Sequence, residues 1–129
     1  WEITYDSYQA VNAFVVGVFR YTPNDGCQYV RAEFSVKNCG DGTDTFLPSV
    51  YQVSEDPVVQ IMDEKRKHVY DCVDALNDSR CLNSTVLDAG ESKDGELIFE
   101  VPDNMLEKAD KLSFVVSMGK QNASYRLRE

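Results

Sequence analysis

Histidine is almost absent from this chain of 129 residues, which carries His68 and no other. Nucleophilic triads of the Ser/His/Asp or Cys/His kind need a histidine as general base, so that chemistry has a single candidate. His68 sits next to Lys67 beside a run of charged residues, where a surface histidine is the simplest reading. Basic residues are also in deficit: 13 Lys and Arg against 22 Asp and Glu give a net charge of -9. A surface of that sign repels nucleic acid and anionic membrane, and the densest basic stretch is the short run Lys65, Arg66, Lys67. No apolar run approaches the ~18 residues of a membrane span; the longest, Ala13 to Phe19, is interrupted by Gly17. Glycine and proline number 7 and 4, while 43% of residues are hydrophobic, which excludes collagenous and disordered classes. No glycine-rich phosphate loop of standard spacing is present.

What the chain does contain suits one domain spanning residues 1–129, large enough for a self-sufficient core. The clearest signal is alternation with period two. Val30, Ala32, Phe34 and Val36 alternate with Arg31, Glu33, Ser35 and Lys37. The pattern recurs in Leu97, Phe99 and Val101, in Leu112, Phe114, Val116 and Met118, and in Tyr125 and Leu127. Turn signals separate these segments. Thr22 to Gly26 is read as joining the apolar run 13–21 to the strand from Gln28, and Asn38 to Gly42 as ending that strand. A further hairpin is expected where 58–62 and 68–72 flank the tip Asp63 to Lys67. Pro48 places its segment on a sheet edge. Helix is scarce: one or two turns over 104–110, capped by Asp103 or Asn104 with Leu106 and Ala109 inward, and a short turn within 72–82. Seven or eight short strands with one or two helical turns predict an all-β, antiparallel β-sandwich.

Four cysteines, Cys27, Cys39, Cys72 and Cys81, are spaced by 12, 33 and 9 residues, which fits neither a CxxC redox motif nor a paired-CxxC zinc site. Disulfides in an oxidising compartment are the expectation, with at least one bridge formed. A straight strand over 28–37 holds Cys27 and Cys39 more than ~30 Å apart, beyond any bridge. Pairing of either end with the 72–81 loop, or a local Cys72 to Cys81 bond, stays open. Asn77, Asn83 and Asn122 each begin an N-x-Ser/Thr sequon and are candidate glycosylation sites.

The order of segments also carries a resemblance. An opening aromatic strand is followed by Tyr29-Val30-Arg31-Ala32-Glu33-Phe34-Ser35-Val36-Lys37-Asn38 and a Gly/Asp turn. Then come Val59-Gln60-Ile61-Met62-Asp63 with its charged tip leading to Tyr70, Leu87-Asp88-Ala89-Gly90-Glu91, Gly95-Glu96-Leu97-Ile98-Phe99-Glu100-Val101-Pro102, and a closing pair of strands. From about residue 3 to 127 this resembles the immunoglobulin-like domain of unknown function found in secreted bacterial and archaeal lipoproteins, related in fold to a small secreted mycobacterial antigen. The resemblance implies export and tethering to the cell surface by a lipidated cysteine upstream of Trp1, and it transfers no catalytic residue. The four cysteines and the long 71–84 connection depart from the family pattern.

The expected function is accordingly a non-enzymatic extracytoplasmic domain that contacts another protein or an envelope component, without inserting into the membrane itself. A second reading is a glycan or small-molecule module whose surface uses Trp1, Tyr5 and Tyr8, since Tyr and Trp unite an apolar face with a polar tip. Calcium is a better use of the acids, with Asp41 and Asp44 of the Gly-Asp-Gly-Thr-Asp loop as hard oxygen ligands. Paired carboxylates for glycosidase chemistry are unavoidable among 22 acids and carry no weight. Glu96 and Glu100 are read as wet. Ile98 and Val115, apolar on outward faces, mark a patch covered by another domain or partner.

Overall fold

The computed structural model describes residues 1–46, 57–73, 80–82, 85–118 and 121–127. Pro48, the sequons at Asn77 and Asn83, and most of the turn expected within 72–82 lie outside these residues.

Two antiparallel sheets pack face to face. One has the order β1 (Glu2–Val11), β4 (Cys27–Lys37), β9 (Ser92–Pro102); the other runs β11 (Gln121–Arg126), β10 (Leu112–Met118), β6 (Pro57–Asp63), β7 (Val69–Asp71). The alternation explains both. Val30, Ala32, Phe34 and Val36 of β4 and Leu97, Phe99 and Val101 of β9 face Val59 and Ile61 of β6 and Leu112, Phe114 and Val116 of β10, all within one buried core. The register brings like faces together, Val30 opposite Phe99 and Ala32 opposite Leu97. A bulge between Tyr5 and Ser7 shifts the parity of β1, so that Tyr8 and Ala10 stand opposite Ala32 and Val30. Both edges of the sandwich are laced. The Tyr125 hydroxyl of β11 donates to the Ile3 carbonyl of β1 at 2.9 Å, and a bridge joins Cys72 to Phe99.

Two small ribbons complete the eleven strands seen among the described residues. One, β5 (Asp44–Phe46) with β8 (Thr85–Leu87), buries Phe46 and Leu87 at one end of the core. The other is β2 (Phe14–Val16) with β3 (Phe19–Tyr21). Here the expectation needs correction: the run 13–21 is not one strand joined to β4 through 22–26. Gly17, at φ 61°, turns the chain back so that the run forms a hairpin of its own. The 22–26 turn does form, with Gly26 at φ 78° and the Cys27 amide on the Asn24 carbonyl, but β4 takes β1 and β9 as neighbours.

The expected hairpin at 58–72 is present as β6 and β7, its tip held by the Asp63 carboxylate, which accepts the Lys67 amide at 2.8 Å. Among the described residues helix is confined to α1 (Asp103–Leu106) and a 3-10 turn (Ala109–Lys111). Pro102 occupies the N-cap position and makes no side-chain cap, so neither Asp103 nor Asn104 plays that part. Leu106 and Ala109 pack on the core as expected.

No disulfide forms among the four cysteines, which corrects the expectation, and the register gives the reason. Cys27 stands opposite Pro102, Cys72 is bridged to Phe99 and Cys81 to Glu96, so along β9 Cys27 lies at least ~10 Å from Cys72 and ~20 Å from Cys81. Cys39 lies past the far end of β4. Cys72 belongs to the inner core and Cys81 to a cluster on the opposite face of the sheet. A bridge needs about 4.4 to 6.8 Å between Cα atoms. Partial burial first, then the Glu100 and Asp103 carboxylates, push the Cys27 thiol up from its ordinary value, whereas Cys39 is exposed. Alkylation of the folded protein without reductant should therefore modify Cys39 first and Cys27 more slowly. The buried Cys72 and Cys81 should react more slowly still, because they await a local or global opening of the fold. A mass showing fewer than four alkylated thiols after denaturation without reductant would contradict this arrangement.

Candidate functional site

The outer face of the β1–β4–β9 sheet holds a dense polar constellation among the described residues. Its rungs follow from the register: Thr4, Ser35 and Asp94; then Ser7, Glu33 and Glu96; then Gln9, Arg31 and Ile98; then Val11, Tyr29 and Glu100. Glu33 and Glu96 stand directly opposite, an unfavourable like-charge pair. Arg31 relieves it from the next rung. Its Nε donates to one Glu96 oxygen at 2.7 Å and its Nη2 to the other at 2.9 Å, a two-pronged ion pair with both side chains largely buried. Arg80, crossing above, approaches the same carboxylate at 3.8 Å. That crossing segment lies so close that a Cβ on Gly95 would meet the Arg80 carbonyl oxygen at 2.5 Å. Glu96 is thus enclosed and paired where the alternation alone reads it as wet.

The lower rungs are covered by the β2–β3 hairpin. Phe14 is buried against Tyr29, Ile98 and Cys81, forming a second, smaller core outside the sandwich, with Val11, Val16 and Val73 at its margin. The Arg31 guanidinium lies 5.0 Å from the centre of the Phe14 ring, a cation–π contact that fastens the hairpin to the ion pair. What covers Ile98 is therefore this chain's own hairpin; Val115 is buried as well. The hairpin leaves Val18 at 94%, Phe19 at 64% and Val15 at 58% of full exposure. Two open grooves of about 510 and 520 Å³ run along the remaining outer face, sharing Glu33, Arg80 and Glu96.

The aromatic residues expected to form a ligand surface are dispersed. Tyr5 is buried in the main core, 4.7 Å from the Phe114 ring and 5.4 Å from that of Phe34. Trp1 packs on Phe46 at 5.3 Å, and Tyr8 is half-buried against the same core. They share no exposed face. His68 is exposed beside β7, its amide shared with the Asp63 carboxylate. The shallow groove around it is lined by Asp63, Glu64, Lys65, Met105, Lys108 and Lys111 besides Leu112. Asp41 is exposed, and Asp44 accepts the Thr45 amide at 2.8 Å. Among the described residues no group of three metal-binding side chains gathers. Asn122 is exposed on β11.

Phe14, Arg31, Val18 and Phe19 were not legible as site residues. The one signal for the hairpin was a glycine inside an unbroken apolar run, and Arg31 with Glu96 are 65 residues apart.

The molecule defined by these observations is an all-β protein, an antiparallel β-sandwich with an apolar hairpin fixed to one outer face. No family model and no curated protein matches the chain. Two solved structures do share its fold. A conserved hypothetical protein from Bacillus anthracis aligns over 98% of this chain and 86% of its own, with a TM-score of 0.61 at 17% identity. An uncharacterized β-sandwich protein from Clostridium difficile 630 aligns over 98% and 84%, with a TM-score of 0.56, also at 17% identity. At such identity the likeness is one of fold.

Proposed function

We propose that this chain is a non-enzymatic, immunoglobulin-like binding module that contacts another protein through the β2–β3 hairpin. The observation carrying the reading is the exposure of Val15, Val18 and Phe19 on an element held rigidly from beneath by Phe14 and Arg31. Large apolar side chains exposed on both faces and at the tip of a fixed hairpin suit an interface, because the support removes the ordering cost that a loose loop would incur. An extracytoplasmic location, with an anchor upstream of Trp1, rests on the family resemblance.

The test compares wild type with a Val18→Ser, Phe19→Ser variant, both immobilised and exposed to envelope extract. A protein retained by the wild type should, once purified, bind the variant roughly tenfold more weakly, the loss expected when one or two large apolar contacts are removed. Equal affinity for both would overturn the reading.

A further inference from the structure

We propose that the partner presents a basic extended segment, with its lysine or arginine side chains over the carboxylates of the outer sheet face and an apolar side chain beneath the overhanging strand β3. The proposal deepens the reading above and rests on it. Cross-strand pairing places Tyr21 opposite Phe14 and Phe19 opposite Val16, so all four side chains share one hairpin face. Phe14 is buried on the sheet, which fixes that face as the inward one. Phe19 and Tyr21 nevertheless remain 64% and 36% exposed. Strand β3 therefore overhangs its support, and its apolar underside forms a shelf. Arg20 pairs with Val15 on the other face.

The open grooves of the same outer face carry an excess of carboxylates, Asp6, Glu33, Asp94 and Glu96 against Arg31 and Arg80. Arg31 is committed to Glu96 and Arg80 approaches the same carboxylate, so these cations do not neutralise the rest. Ser35 donates to Asp94. Glu33 and, on the bulge, Asp6 make no ion pair among the described residues, and with Asp94 they line the open grooves. From Tyr29 to Ser35 the face extends about 20 Å, the length of six residues in an extended chain. A net charge of -9 steers basic partners toward it and opposes both anionic lipid and a second copy of this chain. A pairing of two β3 edges centred on Arg20 would also set that cation against its own copy.

The probe is a blocked synthetic peptide alternating lysine and serine over six residues and ending in phenylalanine and valine, titrated by fluorescence anisotropy. The wild type should bind it, and binding should weaken steeply with salt because exposed charges are screened within about 10 Å at 0.1 M. Asp6→Lys with Glu33→Lys should cost roughly tenfold or more by reversing the field, and Phe19→Ser roughly tenfold by removing the shelf. Both variants alter exposed positions, and a single cooperative urea transition with the wild-type slope verifies their folding. No binding of the probe, equal binding of a peptide with glutamate in place of lysine, or equal affinity of the charge-reversed variant would each overturn the proposal. So would hairpin-dependent binding to phosphatidylcholine vesicles in place of the peptide, which would make the occupant lipid. A purified partner that depends on Phe19 and is indifferent to the charge reversal would sink the basic segment and leave the protein-binding reading intact.

Discussion

Replacing Phe114 by alanine should remove about 3 to 5 kcal/mol of stability, the cost usual for deleting a buried aromatic side chain together with the cavity it leaves. Phe114 is fully buried in β10, at the plane where the two sheets meet. Its ring lies 4.7 Å from Tyr5, 5.4 Å from Phe34 and 5.5 Å from Phe99, centre to centre, so three strands of the opposite sheet converge on it. The contact with Phe34 is edge to face, at 84°. Aromatic pairs of this kind contribute ~0.5 to 1.5 kcal/mol each beyond the area they bury. Backbone frames carrying the three partners are hydrogen-bonded ladders that cannot collapse far into the space. For a domain with about 5 to 15 kcal/mol in total, the loss is a large share. Urea denaturation should show the midpoint falling with the slope unchanged, and the Tm should drop by roughly 10 to 20 °C. Val18→Ala at the exposed hairpin tip serves as the contrast and should stay within about 0.5 kcal/mol of wild type. A Phe114→Ala loss below about 1 kcal/mol would mean that the two sheets do not share this core.

That core was legible because a half-buried strand writes its environment directly into the order of its residues. Val30, Ala32, Phe34 and Val36 announced both the strand and its buried face, and the structure places all four in the core. The alternation resumed over 97–101 and 112–118 with the same result. Two features of β1 and of the hairpin escaped for a common reason: they lack one steady period. In β1 the apolar positions move from Ile3 and Tyr5 to Tyr8 and Ala10, a change of parity that is the imprint of the bulge. In 13–19 every side chain is apolar, so no period exists, and only Gly17 marks the reversal. The strand total differed for the same reason, since three-residue ribbons are too short to establish any alternation.

The site was less legible than the fold because periodicity assigns a side and not a neighbour. Glu96 was placed correctly on the outward side, yet what makes it part of a site is Arg31 at 2.7 Å and Arg80 above it. Outward Ile98 did signal a cover, but the cover is Phe14 of this chain and not another domain or partner. Cysteine spacing carried no information on which face of the sheet each thiol would take, and Cys72 and Cys81 take opposite ones. Tyr5 illustrates the converse error. Its amphipathic side chain suits a binding surface, but its place on the inward parity of β1 decides the matter, and it packs on Phe34 and Phe114.

Asn38 should be the polar residue whose loss costs most, about 2 to 4 kcal/mol for Asn38→Leu. It is the only buried polar or charged residue among those described, and at 2% exposure water cannot replace its partners. Its Nδ2 donates to the carbonyls of Gly42 and Leu87, both at 2.9 Å, and its Oδ1 accepts the Gly40 amide at 2.9 Å. Its backbone adds the Glu91 carbonyl at 3.0 Å and the Gly90 amide at 2.8 Å. One side chain thereby ties the loop 38–42 to the turn 87–91. Leucine preserves the volume and leaves three backbone groups unpaired, each costing about 1 to 3 kcal/mol where water is excluded and less where it returns. Asn38→Asp separates shape from hydrogen bonding. A carboxylate cannot donate to Gly42 and Leu87, and as an anion it faces two carbonyl oxygens, so the folded state favours its protonated form. The native protein then binds more protons than the unfolded chain, whose aspartate titrates near ~3.9, and stability falls as pH rises through and above that value. The gap between Asn38→Asp and wild type should therefore be widest near neutrality and narrow toward about pH 4. A gap independent of pH would show that residue 38 is reached by water. The same network bears on calcium. Gly42 already gives its carbonyl to Asn38 and Asp44 its carboxylate to Thr45, so the loop is ordered without an ion. The Tm of the wild type should accordingly be the same in calcium and in chelator.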